Sequence, residues 1–111
     1  MRNTVIIQFE VEGFHSYKNA PEQVSFLRDK HRHTFRVKAG YKVSGLDREK
    51  EIFIMRELVK EYLLEAYGYP CNFGNMSCEM IALEIMQFSK EDGMIWCEVW
   101  EEETGGARVE L

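Results

Sequence analysis

Apolar and polar residues alternate along two stretches of the N-terminal half of the chain. From Thr4 to Val11 every second residue is apolar, the period-2 pattern of a half-buried strand. In the stretch HRHTFRVKAGYKV the odd-numbered positions from His31 to Val43 share one face of a second strand. The other face of that strand carries Arg32, Arg36, Lys38 and Lys42. The stretch between the two strands is polar, and Pro21 marks it as a loop.

The middle of the chain changes from period 2 to helical spacing. Apolar residues recur every three or four positions after the polar connection SGLDREKE. They are Met55, Leu58, Val59, Tyr62, Leu63 and Ala66. Gly68 and Pro70 end the run, so the pattern predicts a first helix over residues 52–67.

A second apolar stripe at helical spacing follows the loop GYPCNFGN. Asn75 or Ser77 is placed to cap this second helix, which ends near Phe88 or Ser89. Its buried stripe comprises Ile81, Ala82, Ile85 and Met86, with Phe88 as a further candidate. The middle of the chain therefore predicts two consecutive helices.

Alternation returns in the segment MIWCEVWEEE. One face carries Ile95, Cys97, Val99 and Glu101, and the other carries Trp96, Glu98 and Trp100. A Thr-Gly-Gly turn and the short strand ARVEL follow. The element order ββααββ predicts an α+β fold, with a four-stranded antiparallel sheet and both helices on one face. The tryptophans lie on the opposite face, which we expect to meet another subunit.

Composition and charge narrow the class of protein. A chain of 111 residues that is 45% apolar and 13% aromatic can build one core, so residues 1–111 are predicted to form a single domain. A formal net charge of −5 argues against nucleic-acid binding, which needs clustered Lys and Arg. No stretch approaches the roughly 20 apolar residues of a membrane helix. Cys71, Cys78 and Cys97 fit reduced thiols, so we expect a cytoplasmic protein. The densest basic patch, Arg28 to Lys38, lies around two of the histidines and favours a small-molecule ligand over a polymer.

Three histidines, the only ones in the chain, are the main candidates for chemistry. His31 and His33 share one face of the second strand, so both imidazoles can point at the same ion. His15 lies at the end of the first strand, where antiparallel pairing brings it close to them. Three imidazoles leave one position of a Zn²⁺ ion open for water or substrate. The alternative is three surface or packed histidines without a metal.

Four segments, FHSY, HRHTFRV, NMSCE and CEVWEE, resemble the family of 6-pyruvoyl-tetrahydropterin and 6-carboxytetrahydropterin synthases. The resemblance spans nearly the whole chain and implies the tunnelling fold of that family. It also implies that His15, His31 and His33 bind zinc. Arg32 stands in place of the glycine in the family's His-Gly-His segment.

The resemblance further implies a binding site for a pterin. Glu79 matches the acid at the start of the family's second helix, and Glu101 matches the glutamate that ends a V-x-V-x-E strand and holds the pterin. A carboxylate accepts two parallel N–H bonds from the amino-pyrimidine edge of a pterin or a guanine. Arg32 or Lys30 is placed to meet the phosphates of such a substrate. Without the resemblance, Glu101 is one acid in a solvated turn.

The catalytic residues of the family have no matching positions here. Its catalytic cysteine precedes His-Gly-His, but the stretch SFLRDK contains no cysteine. Glu22 and Asp29 are acidic substitutes at offsets that do not match. Cys71 is a weak candidate to replace the family's Asp-His pair, and the favoured alternative is a small, partly buried residue. The catalytic residue therefore stays open among these three weak candidates.

Two functions fit these observations. The first is a zinc-dependent carbon–oxygen lyase acting on a dihydroneopterin triphosphate-type substrate. The second is a catalytically inactive metal-binding module that binds a pterin or purine-like ligand or serves as an oligomeric scaffold. The missing cysteine and Asp-His pair favour the second. In both cases the resemblance implies a homo-oligomer, a trimer or hexamer, with the ligand site between subunits.

Overall fold

The computed structural model describes all residues, Met1–Leu111, and contains one five-stranded sheet and two α-helices. The strands are β1 (Asn3–His15), β2 (His31–Val43), β3 (Cys71–Asn72), β4 (Met94–Glu101) and β5 (Gly105–Glu110). The helices are α1 (Ile52–Tyr67) and α2 (Cys78–Phe88), and short 3-10 segments cover Glu22–Arg28 and Lys90–Asp92. The strand order in the sheet is β3-β1-β2-β4-β5.

β1 and β2 form a long antiparallel hairpin that pairs every residue of both strands. The register runs from Asn3 opposite Val43 to His15 opposite His31. The buried positions of both strands alternate toward the helices, and a slip of one residue would move all of them to the other face. The alternation therefore excludes odd-numbered shifts of register, and within the observed register two histidines lie opposite each other at one end.

A fifth strand corrects the predicted four-stranded antiparallel sheet and the order ββααββ. β3 lies between the two helices and pairs in parallel with β1, so the sheet is mixed and the order is ββαβαββ. The sequence pattern predicts a loop here because two residues are too few to show alternation. Gly13 allows the close approach, since a Cβ there would lie 2.9 Å from Cε2 of Phe73 and 3.0 Å from the carbonyl oxygen of Cys71.

Both helices pack on one face of the sheet, as predicted, over a cluster of 20 buried residues. α1 contributes Met55, Val59 and Leu63, and α2 contributes Cys78, Ile81, Ala82, Ile85 and Met86. Ser77 caps α2, accepting a hydrogen bond from the backbone N–H of Met80 at 3.2 Å. Gly68, with φ at 84°, ends α1. Neither helix is long and apolar enough to cross a membrane.

β4 departs from strict alternation at its start. The pairing of β2 with β4 shifts between Gly40 and Tyr41, so Trp96 lies opposite Gly40 while Met94 lies opposite Tyr41. Met94 therefore enters the core, and Ile95, predicted on the core face, is only half-buried. From Cys97 onward the predicted alternation holds.

The sheet face away from the helices is charged. Nη2 of Arg36 lies 3.0 Å from Oε2 of Glu10, and the guanidinium of Arg108 covers the ring of Trp96 at 4.2 Å. Nε1 of Trp100 donates to Oε1 of Glu98 at 2.9 Å. Side chains of the same chain thus partly cover both tryptophans.

Candidate metal centre

Three histidine side chains converge at one end of the β1–β2 hairpin. His15 ends β1 and lies directly opposite His31, which begins β2, and His33 follows on the same face of β2. The ring centroids are 4.6 Å apart for His15 and His31, 5.2 Å for His15 and His33, and 5.0 Å for His31 and His33. One ring nitrogen of each lies within 4.8 Å of the others. The structure thus brings the three predicted metal ligands together.

Each imidazole uses its Nδ1 atom in a hydrogen bond to an oxygen outside the trio. The partners are the carbonyl oxygen of Met76 for His15 at 2.8 Å, the carbonyl oxygen of Asp29 for His31 at 2.9 Å, and Oε1 of Glu102 for His33 at 2.8 Å. Carbonyl and carboxylate oxygens accept hydrogen bonds, so Nδ1 is the donor in each ring. A neutral imidazole in this tautomer keeps a lone pair on Nε2.

The Nε2 lone pairs fit a metal ion. Nε2 of His15 and Nε2 of His33 are buried and make no hydrogen bond. Carboxylate oxygens of Glu101 lie 3.0 Å and 3.6 Å from them, which is unfavourable for facing lone pairs unless a cation lies between them. Zinc accepts three imidazole nitrogens, and metal-bound histidines donate their other N–H to a carbonyl or carboxylate. Burial lowers the pKa of His15, which favours the neutral ring that a metal ligand needs. The donor set therefore suits Zn²⁺.

Glu101, the last residue of β4, turns its carboxylate toward the same nitrogens. Its Oε2 lies 3.0 Å from Nε2 of His15, and its Oε1 lies 3.6 Å from Nε2 of His33. The thiol of Cys78, in the first turn of α2, donates to Oε2 of Glu101 at 3.8 Å. Burial raises the pKa of Cys78 to about 12, so the thiol stays protonated and keeps this proton to donate.

A cleft of about 620 Å³ opens beside His15 and His31. It lies between the end of β1, the start of α2 and the turn that joins β4 to β5. Its ionisable residues are His15, His31, Tyr17, Cys78, Glu79 and Glu101. No lysine or arginine lines it. A ligand in the cleft would therefore meet two carboxylates and the imidazole cluster.

The predicted ligand-binding residues separate into two groups. Glu79 and Glu101 both line the cleft. Arg32 does not, because it alternates with His31 and His33 and so projects from the opposite face of β2. Its side chain is 61% exposed, and its Nε lies 3.6 Å from Oε1 of Glu12.

The three weak catalytic candidates lie outside the cleft. Cys71 is fully buried in the core, with its thiol directed at the carbonyl oxygen of Leu63. Burial raises the pKa of Cys71 to about 11. Glu22 is exposed and pairs with Arg28, and Asp29 is exposed on the loop before β2. Only the backbone carbonyl of Asp29 reaches the site, as the partner of His31.

Sequence reasoning missed two residues that the structure places at the site. Cys78 lines the cleft, and its position directly after the cap of α2 was the available signal. Glu102 holds the ring of His33, although its sequence context indicated a solvated acidic turn. That contact joins residues 69 positions apart, and sequence spacing alone does not predict it.

Comparison with known proteins supports the fold. No protein-family model and no curated protein sequence matches the chain. The 6-pyruvoyl tetrahydropterin synthase of Caenorhabditis elegans superposes with a TM-score of 0.71 at 8% identity, over 100% of this chain and 96% of that one. An uncharacterised protein from Wolinella succinogenes superposes with a TM-score of 0.68 at 12% identity, over 99% of this chain and 98% of that one. The chain thus has the fold of a 6-pyruvoyl tetrahydropterin synthase, as the resemblance of its segments implied.

Proposed function

We propose that the chain is a zinc-dependent lyase of the 6-pyruvoyl- or 6-carboxytetrahydropterin synthase type, acting on a dihydroneopterin triphosphate-type substrate. The observation that carries the proposal is the arrangement of the three imidazoles. All three Nδ1 atoms are engaged by outside oxygens, and the buried Nε2 atoms of His15 and His33 make no hydrogen bond and face the carboxylate of Glu101. The class of substrate is proposed by analogy with the synthase that shares this fold.

His15, His31 and His33 would hold the ion at the side of the cleft. Zinc supplies a Lewis acid there, which polarises hydroxyl and keto oxygens of a bound ligand. The carbonyls of Met76 and Asp29 and the carboxylate of Glu102 keep the rings in the tautomer that binds metal.

Glu101 would anchor the heterocycle of the ligand. Its carboxylate lines the cleft beside the imidazoles and is 31% exposed, so an incoming ring can reach it. The Cys78 thiol contacts one of its oxygens and limits its rotation. The amino-pyrimidine edge of a pterin presents two N–H donors in the spacing that a carboxylate accepts. Glu79 lies on the same cleft and is a further acceptor for the ligand.

A second candidate function is a binding module without turnover, and one observation favours it. Glu22, Asp29 and Cys71 all lie outside the cleft, and the thiol inside it, Cys78, has its pKa raised to about 12. A general base works best with a pKa near the operating pH, so this thiol is a poor proton acceptor. In this alternative the chain binds a pterin or purine-like ligand, or serves as an oligomeric scaffold.

Release of triphosphate separates the two functions. Zinc-loaded protein would be incubated with dihydroneopterin triphosphate, and free triphosphate would be followed over time. The lyase predicts release that a His31→Ala variant loses. If the wild type binds the pterin but releases no more triphosphate than the variant, the lyase is excluded and the binding module remains.

We also propose that the chain acts as a homo-oligomer, a trimer or hexamer, in the cytoplasm. Two sheet edges support an oligomer. β5 ends the sheet on one side, and on the other side β1 pairs with β3 only at Gly13 and Phe14. Unpaired strand edges of this kind offer backbone groups to a second copy. Light scattering on the purified protein gives the mass that tests it. The three free cysteines fit a reducing compartment.

A further inference from the structure

Glu102 lies outside the cleft, in the turn between β4 and β5, but its carboxylate contacts His33 of the metal centre. Its Oε1 accepts a hydrogen bond from Nδ1 of His33 at 2.8 Å. Its Oε2 accepts from the backbone N–H of Thr34 at 2.6 Å. One carboxylate therefore binds a histidine ring and the backbone beside it, which fixes the ring relative to its own strand.

The backbone of the turn strengthens this contact. The N–H of Glu102 donates to the carbonyl oxygen of Thr34 at 3.1 Å, so the turn and β2 are joined by three hydrogen bonds. Glu102 has φ at 51°, in the left-handed region that glycine and asparagine adopt more readily than glutamate. A glutamate at such a position is favoured by what its carboxylate contacts, not by the backbone.

Glu103, the next residue, is in the same turn but makes different contacts. The carboxylate of Glu103 is 81% exposed and lies 3.4 Å from Nη1 of Arg36, on the charged face of the sheet. It has no contact with a histidine. The two neighbouring glutamates therefore form a matched pair, of which only Glu102 contacts the imidazole cluster.

We propose that Glu102 is a positioning residue of the metal centre. Its carboxylate holds His33 in the tautomer with the proton on Nδ1 and keeps the Nε2 lone pair directed at the ion. The proposal rests on the proposed zinc site. Carboxylate partners of metal-bound histidines have this effect in general, and their loss lowers metal affinity about 10- to 100-fold.

Glu102→Gln tests the proposal with little change in shape. If the amide oxygen meets the Thr34 N–H, the amide nitrogen faces Nδ1 of His33 and favours the other tautomer, which carries a proton on Nε2. If the amide is flipped, its NH2 group faces the Thr34 N–H, and two donors then face each other. Either orientation loses one of the two contacts. Glu103→Gln is the control, since it removes the same charge from the same turn.

Two measurements are made on the wild-type protein and on both variants. Zinc affinity is measured by competition with a chromophoric chelator, and the proton position on His33 is read from ring nitrogen NMR shifts of the metal-free protein. We expect Glu102→Gln to weaken zinc binding about 10- to 100-fold and to shift His33 away from the Nδ1–H tautomer. Glu103→Gln should match the wild type in both.

The outcomes separate this inference from the proposed function. If the wild type binds zinc and Glu102→Gln binds it within twofold of Glu103→Gln, Glu102 has no positioning role, although the zinc site stands. The positioning role is equally excluded if the His33 ring signals are alike in all three proteins. If the wild type binds no zinc, both the metal site and the role of Glu102 fall. Circular dichroism of the three proteins confirms that a loss of affinity is not a loss of folding.

Discussion

Nε2 of His15 lies 3.0 Å from Oε2 of Glu101, although Nδ1 of the same ring already donates to the carbonyl oxygen of Met76. In the neutral ring the lone pair of Nε2 would face a carboxylate oxygen, and two acceptors at this distance repel each other. A positive charge between them removes the repulsion. The contact therefore marks a point where a cation is stabilised, next to the opening of the cleft.

Replacing Glu101 by Gln should weaken binding of a pterin at least tenfold, about 1.4 kcal/mol, because the amide cannot accept two parallel N–H bonds. Quenching of pterin fluorescence during titration measures the affinity. Glu103→Gln is the control, since its side chain lies on the charged face of the sheet. Equal affinities of the two variants would remove Glu101 from the ligand site.

Substitution of the predicted metal ligands should abolish stoichiometric zinc binding. We expect His15→Ala, which removes the most buried of the three imidazoles, to lower zinc content from one ion per chain to a small fraction. Arg32→Ala is the matched control, because Arg32 lies among the histidines in sequence but on the other face of β2. Elemental analysis after dialysis gives the stoichiometry. Retention of a full equivalent of zinc by His15→Ala would contradict the proposed site.

Gly13→Ala should destabilise the protein by about 1–3 kcal/mol, the usual range for overpacking a dense core. The new methyl group would lie 2.9 Å from the Phe73 ring, 3.0 Å from the Cys71 carbonyl oxygen and 3.1 Å from the Phe35 ring. Gly105→Ala is the control, since a Cβ there meets nothing within 4 Å. Urea denaturation of both variants measures the free energies of unfolding. Equal free energies of unfolding for the two variants would show that β3 shifts to accommodate the methyl group without loss of stability.

The three thiols should be unreactive in the native protein at pH 8. All three are buried, and burial raises the pKa of Cys71 to about 11 and those of Cys78 and Cys97 to about 12. The thiolate is the reactive form, so almost none is present at this pH. Titration with a disulfide reagent such as Ellman's should detect three thiols in denaturant and none rapidly without it. Rapid reaction of one native thiol would show that the cleft exposes Cys78.

Strong periodicity explains which parts of the fold could be predicted. Alternation over the two longest strands specifies which residues face the helices, and it places His15 and His31 on that same face. The bounds of α1 follow from a regular stripe that ends before Gly68, and Ser77 marks the start of α2. In each case the local pattern and the tertiary structure favour the same conformation.

The features that could not be predicted depend on contacts between distant residues. β3 has two residues and is defined only by its pairing with β1, and Met94 enters the core only because the ladder with β2 shifts register. Glu102 and Cys78 gain their roles from residues more than 20 positions away. A single sequence carries no periodic signal for such contacts.

His15 and His31 form the last residue pair of the β1–β2 ladder, and this affects how that end of the hairpin opens. The ends of a ladder open more readily than its centre, and opening that begins at this end would part His15 from His31 first. An ion bound by both rings would hold that end of the hairpin closed. Amide protons of the last few residue pairs would then exchange more slowly when the ion is bound. Ion binding and closure of this end of the hairpin are therefore coupled equilibria.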